Sequence, residues 1–196
     1  MRHLPWLMPE DDEPLAAYAD RMRKGIADDP ILLGLSFGGM MSIEIAKYYP
    51  AATVILLSSI RNHEQRQGWM TLGEKLHFDR WLSKENNRPN SILRRWTERM
   101  EDYYLGVESD ADARLVSDYR NQTDRRYLRW AVARILQWEN RWTPPRLYQL
   151  HGGQDRIFRL PRRSVTHYVP DGGHLMAFNR PKIVSSLLRP IFENGA

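Results

Sequence analysis

The sequence predicts an α/β fold built on a mostly parallel sheet, and three observations carry that expectation. Five short apolar runs bounded by turn residues read as buried strands, over residues 3–7, 31–35, 53–58, 147–151 and 165–169. Between the second and third, residues 40–49 place Met41, Ile45 and Tyr48 at helical spacing; this makes a βαβ unit whose right-handed crossover sets its two strands parallel. The run 31–35 is apolar on both faces, as central parallel strands are.

In chain order, the first strand is followed by a helix over about residues 15–26 and then by the strand 31–35. That strand runs straight into Gly34-Leu35-Ser36-Phe37-Gly38 and a helix. A serine in this position sits on a sharp strand-to-helix turn, and the flanking glycines remove the Cβ atoms that would keep strand and helix apart. Residues 61–146 differ in character. They lack strand-like runs, carry 17 Lys or Arg against 13 Asp or Glu, and show helical patterns at 73–82, 92–104, 112–119 and 123–138. The last is the clearest, since Thr123 or Asp124 can cap its start and Tyr127, Trp130, Ile135 and Trp138 lie close to one stripe. Six of the seven tryptophans, including Trp69, Trp81 and Trp96, fall within 61–143, which makes this segment the chain's aromatic store. The strands 147–151 and 165–169 follow, and a helix over 182–192 closes the chain.

Ligand chemistry in parallel sheets gathers at the carboxyl ends of the strands, where Ser36 lies. A serine hydroxyl is a poor nucleophile near neutral pH, so it needs a base to take its proton and an acid to orient that base. Two Gly-rich loops offer them at the same sheet edge, His151-Gly-Gly-Gln-Asp155 after the fourth strand and Asp171-Gly-Gly-His174 after the fifth. Read from the residues alone, Ser36 and Asp155 suit ordinary turns as well as catalysis. Glu64, a few residues past the third strand, is the other candidate acid. The remaining histidines, His3, His63, His77, His151 and His167, are scattered and form no metal-ligand motif.

The segments GLSFGG at 34–39, HGGQDRIF at 151–158 and DGGHLMAFNRP at 171–181 resemble the α/β-hydrolase superfamily, whose triad follows the order Ser, Asp or Glu, His. The resemblance covers roughly residues 1–60 and 144–196, and it implies a three-layer core with 61–143 inserted as a helical cap over the active site. It implies Ser36 as nucleophile, His174 as general base, Asp155 as the residue orienting His174, and the Phe37 N–H as one oxyanion donor. The chain departs from the family at its start. Only one strand and one helix precede residue 31, and the His-Gly loop that supplies a second oxyanion N–H is absent; losing one such donor typically costs about 10²–10³ in turnover. The expected domain is thus N-terminally abbreviated, with a sheet incomplete beside 31–35 and open to self-association.

Composition bounds the rest. At 196 residues the chain is long enough for one sizeable core. It has no cysteine, which excludes disulfides and thiolate zinc sites and fits a reducing compartment. Residues 1–13 resemble neither a secretory signal nor a membrane span, so a cytoplasmic protein is expected. The net charge of +5 does not point to nucleic acid, because Arg94, Arg95, Arg99, Arg125, Arg126 and Arg129 share their helices with Glu98, Glu101, Asp102 and Asp124 at pairing distance. The expected function is hydrolysis of a carboxylic ester or thioester, with no cofactor or metal and a small acyl substrate bearing a hydrophobic portion. The helices of 61–143 are expected to place Trp and Met side chains over Ser36, with Trp96 and Trp130 either among them or ordinary core residues. A dehalogenase is disfavoured, since that chemistry places Asp where Ser36 stands. The competing reading is a noncatalytic or truncated α/β-hydrolase-like binding protein.

Overall fold

A computed structural model describes residues 2–77 and 92–194. The described elements are α1 (Leu15–Met22), β1 (Ile31–Leu35), α2 (Phe37–Ala46), β2 (Thr53–Leu57), α3 (Gly68–Lys75), α4 (Ile92–Leu105), α5 (Asp110–Gln122), α6 (Arg125–Gln137), β3 (Arg146–Gly152), β4 (His167–Val169), α7 (Met176–Asn179) and α8 (Pro181–Asn194). The second half of the helix expected at 73–82, with Trp81, lies outside the described residues.

The strands pair in the order β1-β2-β3-β4, every pair parallel, with Leu35 opposite Leu57, Leu57 opposite Leu150 and Leu150 opposite His167. All five residues of β2 are buried. Successive side chains of a strand point to opposite faces, so Val54 and Leu56 join α1, α2 and α6 on one side, while Ile55, Leu57 and Leu150 join Met176, Val184 and Ile191 of α7 and α8 on the other. Helices thus cover both faces of the sheet, giving three layers.

Residues 3–7 do not form the expected strand. Pro5 removes a ladder donor, and the segment is held by side chains instead. The Tyr18 hydroxyl accepts from the Leu7 N–H at 2.8 Å and donates to the Leu7 carbonyl at 2.7 Å. Trp6 stacks on Phe37 with ring centroids 5.5 Å apart. Consequently β1 stands at the sheet edge, and on the side away from β2 no strand pairs with it among the described residues. The strand expected at 165–169 shortens to its last three residues, because Arg162–Ser164 takes up a 3₁₀ turn.

Asp124 caps α6, its carboxylate accepting from the N–H groups of Arg126 and Tyr127. The apolar stripe of α6 packs into the main core. Trp130 is 7% exposed and donates its indole N–H to the Glu13 carbonyl; Trp138 is 5% exposed and donates to Glu44 Oε1. Both are therefore core residues, whereas Trp96 is 60% exposed on α4.

Tyr18 is fully buried, and burial pushes its hydroxyl up to about 12, so it stays protonated as the donor to Leu7. Tyr18→Phe leaves both Leu7 backbone groups without their partner and is expected to lower stability by about 1–3 kcal/mol in urea unfolding. Unchanged stability would show that residues 3–7 are held by Trp6 stacking alone.

Candidate active site

Ser36 follows β1 directly and takes φ 52°, ψ −118°, a left-handed conformation for a residue with a Cβ. Such a backbone costs about 1–3 kcal/mol and persists only where its surroundings over-determine it. They do so here. The Ser36 N–H donates to the Leu57 carbonyl at 2.9 Å, and its carbonyl accepts from the Ser59 hydroxyl at 2.7 Å and the Gly39 N–H at 2.9 Å. Strand and helix meet so closely that a Cβ on Gly34 would fall on the Gly38 carbonyl, and one on Gly39 would lie 2.5 Å from Ser59 Oγ.

The three carboxyl-end loops converge. His174 Nε2 lies 3.0 Å from Ser36 Oγ, and His174 Nδ1 lies 2.9 Å from Asp155 Oδ2. Asp155 Oδ1 accepts from the N–H groups of Ile157 and Phe158, each at 2.9 Å. An ionised Asp155 accepts from Nδ1–H, which leaves the Nε2 lone pair to accept the serine proton; this tautomer follows from the hydrogen-bond network. Burial pushes the Asp155 carboxyl up, but the His174 bond, the neighbouring imidazoles and the Phe158 N–H outweigh it and hold the group below its ordinary range. Glu64 sits on the 3₁₀ turn His63–Gln65 after β2, and it is Asp155 that meets His174. Phe37 opens α2, so its N–H precedes the reach of the helical ladder and is free to donate.

Sequence reasoning missed three residues that support this arrangement. Ser59 anchors the Ser36 carbonyl, and Trp6 walls Phe37. His151 is fully buried at the end of β3, donates Nε2–H to the Phe158 carbonyl at 2.7 Å, and holds that nitrogen 3.6 Å from Asp155 Oδ2. Burial keeps its imidazole below the usual histidine range. Its signal in the sequence was its place as the last strand residue before the Gly-Gly turn. Among the described residues no cluster of three or more His, Asp or Glu side chains has the geometry to hold a metal ion, and no helix is long and apolar enough to cross a membrane.

Both depressed groups give stability that rises with pH, because the unfolded chain binds protons that the folded chain does not. For His151 the loss begins as pH falls below the ordinary imidazole value of 6.5; for Asp155 it begins below the ordinary carboxyl value of 3.8 and is complete below the depressed folded one. Urea midpoints are expected to be flat above about pH 7 and to decline in two phases down to about pH 3. In His151→Phe the upper phase is expected to vanish; its persistence would assign that phase to another group.

The alpha/beta hydrolase family model matches residues 3–187. No curated protein matches the chain. Among solved structures, a thermophilic esterase from Thermogutta terrifontis superposes with a TM-score of 0.65 at 15% identity, over 93% of this chain and 73% of that one. A protein described as a lipase from Acinetobacter baumannii AYE gives 0.60 at 13% identity, over 93% and 68%. An alpha/beta hydrolase family protein from Desulfitobacterium hafniense gives 0.56 at 15% identity, over 91% and 77%. At such identities the superpositions speak to the fold, and the family match, running through the elbow at Ser36 and the loops of Asp155 and His174, speaks to kinship: the chain belongs to the alpha/beta hydrolase family.

Proposed function

We propose that the protein is a serine hydrolase that cleaves a carboxylic ester or thioester through Ser36, His174 and Asp155. The observation that carries this reading is the unbroken hydrogen-bond line from Ser36 Oγ through both nitrogens of His174 to a buried carboxylate. Ser36 Oγ attacks the substrate carbonyl carbon as its proton passes to His174 Nε2. The oxyanion takes a hydrogen bond from the Phe37 N–H at the positive end of α2. His174 returns the proton to the leaving oxygen or sulfur, which departs and leaves an acyl-enzyme. Water then gives a proton to His174 and attacks the ester, releasing the acid and restoring Ser36. Asp155 holds the tautomer throughout and stays ionised. The reading needs no cofactor.

Residues 61–143 act in this reading as a helical cap, and their aromatic content favours an acyl group with a hydrophobic portion. The esterase and lipase descriptions attached to the structural relatives agree with it at the level of reaction class. The cysteine-free composition favours the cytoplasm as its compartment.

A fluorophosphonate probe is expected to label Ser36 alone among the 11 serines and to leave Ser36→Ala unlabelled. Asp155→Asn is expected to keep the fold and lower turnover by up to roughly 10⁴ by stabilising the wrong imidazole tautomer, while Glu64→Gln changes little. A folded protein that takes no label would favour the noncatalytic binding reading. The reverse ranking of the two acid variants would move the orienting role to Glu64.

The edge position of β1 supports self-association, because Ile31, Leu33 and Leu35 offer unpaired backbone groups on the outer side of a strand with no charge or proline to discourage pairing. Light scattering is expected to report a dimer or larger; a monomer at high concentration would remove this reading.

A further inference from the structure

Asp155 follows β3, a strand paired on both sides, whereas the loop of His174 leaves the sheet from its short edge. β4 is three residues long and stands at the sheet edge, and its last residue is followed at once by the turn that leads to His174. The turn after β4 is tied to the β3 loop, the Gly172 carbonyl accepting from the Gln154 N–H at 2.8 Å, and further bonds reach it from outside the sheet.

Both loops are gripped from outside by the end of α4. The Leu105 carbonyl accepts from the Leu175 N–H at 3.2 Å, and the Gly106 carbonyl accepts from Asn179 Nδ2 at 3.3 Å. Gly106 has φ +75°, and a methyl on it would lie 3.5 Å from Gly173 Cα and 3.6 Å from the His174 nitrogen, so the two backbones lie side by side. Arg180 ties the corner to the loop electrostatically, pairing with Glu108 Oε2 at 2.7 Å and with the carboxylate and carbonyl of Asp171, each at 3.2 Å. On the acid side, Arg156, next to Asp155, donates to the Tyr103 carbonyl at 2.7 Å with its guanidinium 4.1 Å from that ring's centroid. One helix end therefore holds the loops of both the base and the acid.

We propose that residues 103–108, at the end of α4, are a positioning device that keeps His174 in line between Ser36 and Asp155, so that the helical insertion sets the alignment of the triad as well as the space above it. The proposal rests on the catalytic reading of those three residues. Glu108, Gly106 and Arg180 act through the loop of residues 171–175. An effector or substrate that shifts α4 would in this arrangement move the base.

The test uses the whole chain with Arg180→Met, which frees Glu108 and Asp171 together, and Gly106→Val, which sets a β-branched residue beside Gly173 in a backbone conformation that valine avoids. The readouts are the low-field proton NMR signal of the His174–Asp155 hydrogen bond, and kcat and KM for p-nitrophenyl acetate. Arg180→Met is expected to broaden or erase the low-field signal and lower kcat about tenfold at unchanged KM, with Gly106→Val nearer 10²-fold, the scale of a misplacement of about 1 Å. Folded variants that melt earlier yet keep the low-field signal and kcat would overturn the proposal, as would a folded parent protein without that signal. If Gly106→Val does not fold, Arg180→Met decides. If the parent hydrolyses nothing, the hydrolase reading falls alone, and the low-field signal still decides whether the corner holds the histidine.

Discussion

The closeness of β1 and α2 across Ser36 is the constraint on which the rest of the site depends. A residue with a Cβ is held at φ 52° there because Leu57, Ser59 and Gly39 all bond to its backbone, and because Gly34 leaves no side chain between β1 and α2, as Gly39 leaves none between α2 and the end of β2. Widening that gap would let Ser36 relax into an ordinary helical or extended conformation. Its hydroxyl would then swing away from His174, and the Phe37 N–H would no longer stand beside it. The strain is stored in one residue and balanced by the pairing of β1 with β2.

The second requirement is electrostatic. Asp155 is an ion in a dry place, and desolvation alone would neutralise it. Two backbone N–H groups and the His174 Nδ1–H point at its two oxygens. His151 lies beside the carboxylate, its Nε2 3.6 Å from Asp155 Oδ2, and gives its N–H to the Phe158 carbonyl, so the residue that supplies one of Asp155's donors is itself pinned. The carboxylate is thereby kept charged and kept aimed, and both are needed if it is to fix an imidazole tautomer.

The described helices between β2 and β3 are packed into the core. Trp130 of α6 packs edge-on to Phe37 at 5.9 Å and over Tyr18 at 4.3 Å, within the same apolar cluster as α1 and α2. Gln65 and Gln149 join the segment after β2 to β3 through a buried amide pair, 2.9 Å between the Gln149 nitrogen and the Gln65 oxygen. Through α6, through these amides and through the end of α4, the described helices between β2 and β3 reach the elbow, the sheet and the loops of Asp155 and His174 respectively. A change in these helices is therefore felt around Ser36, Asp155 and His174.

How much of this the sequence determined by itself follows from how local each signal is. The βαβ unit around Ser36, the parallel pairing, the three Gly-rich turns and the Asp124 cap are set by residues a few positions apart, where apolar spacing, missing Cβ atoms and capping side chains act within one or two turns of chain. The order of Ser36, Asp155 and His174 was readable for the same reason. Residues 3–7 show the limit: their apolar pattern suits a strand, but Pro5 and the reach of the Tyr18 hydroxyl from eleven residues away decide otherwise. Trp130 and Trp96 both fall in helical patterns; one is core and the other surface, because burial depends on which helix face meets α1 and α2. His151, Ser59 and the Arg180–Glu108 bridge became visible only in three dimensions, since their partners lie 7 to 72 positions away and a hydrogen bond or ion pair at that separation leaves no period in the sequence. Tertiary structure alone decided which polar side chains meet, because that depends on how the layers pack and not on the chemistry of any one segment.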